Sequence, residues 1–441
     1  IWNPEAFFNT MVVNGVTWPE LQVAPAQYRF RLLNGSNSRF INLALMVTDA
    51  AGNPLPGCVE KTVWFISGNG QLKSKTIRVR ELDFYQIGAE QSLSPQVTAV
   101  RTGFATTLTS AGSINDRRRV VKPVAAPSSQ QALLMGLAER ANVIVDFRGL
   151  PDGAIITMTN TAPDAPFGGF PDVPADPATT GQVMQFVVNS DLLGASPTDE
   201  VRDPITGAIT NLDPTLIASN VEDLVVNAAD PDLGNYTVAV TNPTPRELAL
   251  VEEESTLICA DVDLLGNVVQ LVDYLPVAGA CVSQIDGTTH PTALPFAPKA
   301  AVTGTVDAAG IPTVTLWSDP IVTNVNADGS GTQTAEQWNI WNFTVDGHPI
   351  HVHLVKFRVL GRSAIGGGAS VISTATGAQP WENGWKDTVI SYPGEVTSIA
   401  ADFDVNGLYV WHCHIVEHED NEMMVPMCVG VAGVDCPSQL F

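Results

Sequence analysis

Apolar and polar residues alternate with period two along most of the chain, a pattern that predicts strands rather than helices. Tyr28-Arg29-Phe30-Arg31-Leu32-Leu33 is the clearest case. Similar runs predict strands over residues 7–13, 20–23 and 40–46, punctuated by Asn-Gly turn signals at Asn14 and Asn34. The series continues at residues 63–66, 76–79, 132–135, 141–147, 155–159 and 183–188. Short strands separated by turns point to a sandwich or Greek-key barrel.

From about residue 190 the alternation dissolves into Asp, Pro, Thr and Asn, with one apolar stretch at Leu224-Val225-Val226. Residues 1–190 therefore read as one all-β domain and residues 191–245 as a partly ordered linker. A second all-β domain follows over residues 246–441, with strands expected around 247–251, 268–271, 313–317, 337–343, 350–360, 396–401 and 408–413. Glu252-Glu253-Glu254 reads as a solvated turn, and Gly366-Gly367-Gly368 falls in a long loop.

Composition supports this picture: 441 residues suffice for two or three domains, only 15% are charged, and 36 Gly with 31 Pro suit a loop-rich all-β protein with little helix. The formal net charge of −24 argues against nucleic acid or an anionic membrane as partner, since phosphate binding needs clustered Lys and Arg. The one basic cluster, Arg117-Arg118-Arg119 with Lys122, reads as a solvated loop. No apolar run approaches the ~18 residues needed to span a bilayer. The sequence opens at Ile1 without a signal-peptide pattern, which suggests a processed product. Sequons at Asn34, Asn235 and Asn342 and the cysteine usage lean towards an extracytoplasmic setting (secreted, periplasmic or surface-bound).

Histidines change the reading. Of the seven, six fall into two clusters, His348-Pro349-Ile350-His351-Val352-His353 and His412-Cys413-His414-Ile415-Val416-Glu417-His418. His290 stands apart and reads as an exposed loop residue. On strands, His351 and His353 share a face, as do His412 and His414, while His348 and Cys413 have the opposite parity. His348, Cys413, His418 and Met423 then form the two imidazoles, thiolate and thioether of a blue-copper centre. Zinc fits less well, because structural zinc favours Cys-x-x-Cys pairs that this chain lacks. With Cys413 assigned to a metal, five cysteines remain; Cys259 with Cys281 and Cys428 with Cys436 are the pairings nearest in sequence, leaving Cys58 over.

The two histidine clusters resemble the C-terminal copper signatures of multicopper oxidases. Residues 384–388 (Gly-Trp-Lys-Asp-Thr), 134–143 (Leu-Met-Gly-Leu-Ala-Glu-Arg-Ala-Asn-Val) and 28–34 are similar to the spore-coat laccase and bilirubin oxidase branch of that family. The resemblance implies two cupredoxin-like domains, of which the first carries no copper ligand. It implies a type 1 copper at His348, Cys413, His418 and Met423 that accepts electrons from a phenol, pigment or metal ion. It further implies a type 2 ligand in His351, type 3 ligands in His353, His412 and His414, and reduction of dioxygen to water at the three-copper cluster. Glu419 matches a proton-relay carboxylate, and Trp385 and Asp387 are expected near the type 1 site.

One departure qualifies the resemblance. The family's cluster takes eight histidines, and this chain supplies four; no His-X-His precedes residue 351. A separate N-terminal cupredoxin domain or fragment with two His-X-His pairs is the expected partner, giving four coppers per complete assembly. The alternative is a non-catalytic electron-transfer or copper-binding cupredoxin that uses the type 1 site alone.

Overall fold

The alternating run at residues 28–33 forms the strand Gln27–Leu33, which pairs antiparallel with β1 (Arg140–Asp146) along its whole length. This computed structural model describes residues 5–67, 69, 71–101, 105–109, 124–126, 128–193, 200–202, 209–211, 244–254, 258–262, 268–296, 299–315, 317–323, 334–367 and 377–437. In one sheet the strand order is Val124–Ala125, Ala105–Thr109, Leu93–Val100, Phe84–Gly88, β1 and Gln27–Leu33. Its companion runs Leu133–Met135, Ile41–Thr48, Ile155–Asn160, Gln182–Val188 and Glu20–Val23. Leu43, Leu45, Ile156 and Phe186 of the second sheet meet Val143 and Val145 of the first in a shared core, so the pair is a β-sandwich.

The later residues repeat this plan. One six-stranded sheet is ordered Pro312–Val314, Lys299–Val306, Arg246–Glu254, Thr334–Asn342, Glu395–Phe403 and Phe357–Ala364. The other sheet contains Ile321–Thr323, β5 (Met424–Val429), β4 (Gly407–Cys413), β2 (His348–Val352) and β3 (Thr388–Ser391), in that order. Leu248, Trp338 and Phe403 pack against Ile350, Val389, Trp411 and Val425. Trp338 stacks on Phe403 and meets Trp411 edge-on, filling the space between the sheets with flat, rigid side chains. The all-β sandwich expectation is met: strands make up 51% of the structure and helix 4%.

The two sandwiches share apolar contacts. Phe40, Leu134, Leu137 and Phe167 of the first join the core of the second. At Gly136 the backbone of the first approaches the second closely: a Cβ there would lie 3.1 Å from Pro349 Cβ and 3.1 Å from Ile390 Cγ1. The side chain of glycine is the only one that leaves β2 and β3 undisturbed.

Several expectations change. Residues 7–13 yield a strand only at Val12–Val13, because Phe8 O accepts from Arg39 and Phe7 lies under the same guanidinium instead of joining a ladder. Residues 350–360 break into β2 and Phe357–Ala364 at Leu354, whose φ of 76° no strand accommodates. Glu252-Glu253-Glu254 is not a turn; it continues the strand Arg246–Glu254 opposite Ala301, Ala300 and Lys299. Asn34 and Asn342 are buried, and their Nδ2 atoms already donate to Arg39 O and Met135 O, and to Asp346 O and Ser391 O. Neither is accessible for glycosylation, so these sequons lend no support to an extracytoplasmic setting. Asn235, the Arg117 to Lys122 cluster and Leu224 to Val226 lie outside the described residues. Cys259–Cys281 and Cys428–Cys436 are disulfides, and Cys58 is free and exposed. No described helix is long and apolar enough to cross a membrane.

Candidate metal centre

Strand register divides the histidines between two faces. β2 and β4 pair antiparallel with Ile350 opposite Cys413 and His351 opposite His412. Directly opposed residues share a face, and successive residues alternate, so His348, Ile350 and Cys413 face the core while His351 and His412 face away from it. The pairing extends one step beyond each strand end: His353 N donates to Val410 O and His414 N to Pro349 O. Both residues are thereby held beside the His351–His412 pair.

On the core face, Cys413 Sγ lies 3.5 Å from His348 Nδ1 and 3.8 Å from His418 Nδ1. The three ligand atoms lie within 4.8 Å of one another, and all three residues are buried. His348 Nε2 is occupied by Thr344 Oγ1 at 2.8 Å, which aims Nδ1 at the sulfur. His418 sits on α1 (Val416–Glu419), a single turn tied to the first sandwich by Val416 N donating to Asn37 O and Ser38 Oγ donating to Glu417. Met423 is fully buried; its N donates to His418 O, and its O accepts from Cys413 N. Burial pushes the Cys413 thiol well up, burial and His418 push His348 well down, and burial lowers His418 to about 4. Without a metal the pocket is neutral at pH 7. Glu5 Oε1 lies 3.9 Å from His418 Nε2, and burial, followed by Asp346 and Glu417, raises the Glu5 carboxyl to about 9.

On the opposite face, His353 Nε2 and His412 Nε2 lie 3.2 Å apart, and one nitrogen from each of His351, His353 and His412 falls within 4.8 Å of the others. The His414 ring centroid lies 5.3 Å from that of His412 and 6.0 Å from that of His351. This group is more open than the thiol site: His353 is exposed, and His351 and His414 are half-buried. Burial, against the pull of Asp387, lowers His351 to about 4. Glu419 Oε2 lies 3.2 Å from His412 Nδ1; burial opposes its charge, but the contact with His412 holds the carboxyl below its ordinary value.

Behind His351 lies a buried charge network between the sandwiches. His351 Nδ1 donates to Asp387 O at 2.8 Å. The Asp387 carboxylate receives Arg140 Nη1 at 2.8 Å, Arg140 Nη2 at 2.5 Å and Gln91 Nε2 at 2.5 Å. Burial raises the Asp387 carboxyl, but these bonds outweigh it and hold the group low. Next to it, buried Lys386 pairs with Glu90 at 2.8 Å and Glu139 at 3.1 Å. Burial raises Glu90 to about 7 despite the nearby ammonium. A cavity of about 20 Å³ borders Glu90, Glu139, Arg140 and Lys386.

The donor chemistry fits copper. A thiol, two imidazoles and a thioether in a dry core are soft ligands of no use to Mg²⁺ or Ca²⁺. A buried thiol held neutral by desolvation becomes a thiolate when a cation is coordinated. On the second face, the Asp387 O contact occupies His351 Nδ1 and leaves Nε2 as the ligand atom.

The structure brings together His348, Cys413 and His418 with Met423 adjoining, and separately His351, His353, His412 and His414, with Glu419 against His412. It separates Asp387 from the thiol site where it was expected: Asp387 backs His351. Trp385 lies under Lys356 and Arg358, and its N donates to Ser92 Oγ. His290 is not exposed; its Nδ1 caps Thr292 N and Ala293 N, and its ring meets Tyr274. Arg140, Lys386, Glu90 and Glu139 escaped functional assignment, although the motifs at 134–143 and 384–388 contain three of them. Glu5 carries no local sequence signal at all.

Comparison with known proteins gives a consistent picture. Residues 298–433 match the family described as multicopper oxidase. The chain is 28% identical over 430 residues to a laccase of Bacillus subtilis (strain 168), covering 95% of this chain and 54% of that protein. It is 26% identical over 433 residues to a laccase of Haloferax volcanii, covering 97% of this chain and 49% of that protein. The chain thus spans about half the length of the curated relatives it matches. The crystal structure of the McoA multicopper oxidase from Aquifex aeolicus aligns over 98% of this chain and 62% of that one, at 19% identity and a TM-score of 0.48.

Proposed function

Because the chain belongs to the multicopper oxidase family and is laccase-like, we propose that it is the electron-accepting portion of a copper-dependent oxidase. The reaction couples four one-electron oxidations of a phenol, a bilirubin-like pigment or a low-valent metal ion to reduction of dioxygen. With four protons, the four electrons yield two waters. In this reading residues 1–190 and 246–441 are two cupredoxin-like domains joined by residues 191–245.

His348, Cys413 and His418 would hold a type 1 copper with Met423 as the weak axial ligand. His351 would serve a type 2 copper, and His353, His412 and His414 a type 3 pair. Copper, when bound, supplies reversible one-electron chemistry at the first site and dioxygen reduction at the second. The remaining histidines of the cluster would come from a cupredoxin domain outside these 441 residues, bearing two His-X-His pairs. The exposed position of His353 is compatible with such a cover.

The observation that carries the reading is the Cys413 peptide. Its side chain lies in one donor set, while its neighbours His412 and His414 lie in the other, so one residue of backbone links the two. The protein itself keeps the His351 proton on Nδ1 through Asp387 O and buries the thiol, and Glu419, against His412, would pass a proton towards that side. The Cys259–Cys281 and Cys428–Cys436 disulfides favour an extracytoplasmic setting.

Counting copper and measuring oxygen uptake on the complete assembly tests this reading. With a phenol, bilirubin, Mn(II) or Cu(I) as reductant, we expect four coppers and one dioxygen consumed per four electrons. One copper and no oxygen uptake would favour an electron carrier instead.

A further inference from the structure

We propose that Arg140 is a positioning residue for His351, acting through Asp387, so that the first sandwich sets the geometry of a histidine cluster to which it contributes no ligand. The inference rests on the functional reading above for its consequence, but not for its geometry.

Asp387 presents two different acceptors to one ring. Its carbonyl oxygen lies 2.8 Å from His351 Nδ1, and its carboxylate Oδ1 lies only 3.7 Å from the same nitrogen. A carbonyl can only accept, so the first contact puts the proton on Nδ1 and leaves Nε2 with a free lone pair. The carboxylate is the stronger acceptor, and a small rotation would let it capture Nδ1 and swing the ring.

Arg140 prevents that rotation. Its two guanidinium nitrogens grip Oδ1 and Oδ2 in parallel, and its Nη1 is itself fixed by Ala138 O at 2.8 Å. Gln91, also from the first sandwich, donates to Oδ2, and Thr388 Oγ1 donates to Oδ1. Both carboxylate oxygens are therefore committed away from the imidazole. Lys would not substitute for Arg here, since a single ammonium cannot hold two oxygens in a plane.

The test uses the chain labelled with ¹⁵N-histidine. In the metal-free protein at pH 7, the His351 ring nitrogens, assigned by comparison with His351→Gln, should show a protonated Nδ1 and an unprotonated Nε2. Arg140→Gln should leave Nδ1 protonated but move its resonance, as the carboxylate replaces the carbonyl as its acceptor, and Arg140→Gln with Asp387→Asn should restore the parent value, because no free carboxylate then competes for Nδ1. In parallel, Cu(II) titration followed by electron paramagnetic resonance should show binding at the histidine cluster weakened roughly 10- to 100-fold in Arg140→Gln. The thiolate-to-copper absorption at Cys413 should be unchanged, which also reports that the variant is folded. Should Arg140→Gln not fold, Arg140→Lys carries the same expectation. An unaltered nitrogen pattern and unaltered cluster affinity in the folded variant would overturn the proposal. If the parent chain binds no Cu(II) at the histidine cluster, the functional reading fails, while the nitrogen pattern still decides the role of Arg140.

Discussion

Cys413 and His412 are bonded neighbours whose side chains belong to different sites. Cys413 Sγ lies 3.5 Å from His348 Nδ1 inside the core, whereas His412 Nε2 lies 3.2 Å from His353 Nε2 on the opposite face. Strand alternation alone produces this division, so a one-residue insertion or deletion within β4 would exchange the two faces and destroy both donor sets.

Lys386 is buried between Glu90 and Glu139. Lys386→Met would strand two carboxylates, and removing one partner of a buried ion pair costs about 3–5 kcal/mol. Chemical denaturation should show that loss. Replacing Glu139 by Gln at the same time should recover part of it.

Gly136→Ala tests the contact between the sandwiches. A Cβ would press on Pro349 and Ile390, each 3.1 Å away, and overpacking of this kind costs about 1–3 kcal/mol. The same variant should shift the amide resonances of β2, the strand that carries His348 and His351.

Much of this was legible in the sequence, for a definable reason. Period-two alternation at residues 28–33 and 408–413 gave strands with assigned faces, and the spacing of His348, His351, His412, Cys413 and His414 then divided these residues between two faces without any knowledge of tertiary contacts. Contacts made across the chain left no such mark. Asp387 was expected near the thiol because it looks equivalent to any nearby carboxylate in sequence. Its real place depends on the pairing of His351 with Thr388, which carries the Asp387 carbonyl to the imidazole. Glu252 to Glu254 read as a turn because like charges in a row resemble a solvated one, although a strand paired with Lys299–Val306 accommodates them equally well. Leu354 gave no warning of its positive φ, since only tertiary packing can enforce that conformation on a leucine.

The metal-free chain should lose stability in both directions of pH. His351 and His418 titrate at about 4 in the fold against an ordinary value of 6.5, so the unfolded chain binds more protons between those values. Their contribution is complete above pH 6.5 and is lost as pH falls towards 4. Glu5 behaves oppositely: raised from 4.5 to about 9, it favours the fold fully below 4.5 and loses that contribution as pH rises towards 9. Thermal unfolding across this range should show Glu5→Gln removing the alkaline decline and leaving the acid one.

Glu419→Gln should slow oxygen reduction by the complete assembly without altering copper content. A positioned general acid contributes about 10²-fold or more. The defect should deepen as pH rises and solvent protons become scarcer. Stopped-flow oxidation of the reducing substrate, which precedes proton delivery, should be unaffected.

The central claim is that Cys413 joins His348 and His418 in one copper centre. Visible absorption and electron paramagnetic resonance of the Cu(II)-loaded chain, alongside Cys413→Ser, test it most directly. We predict an intense thiolate-to-copper band with narrow hyperfine splitting in the parent chain, both lost in Cys413→Ser while copper at the histidine cluster remains. A copper-loaded parent chain with no thiolate band, or a band that survives Cys413→Ser, would contradict the account.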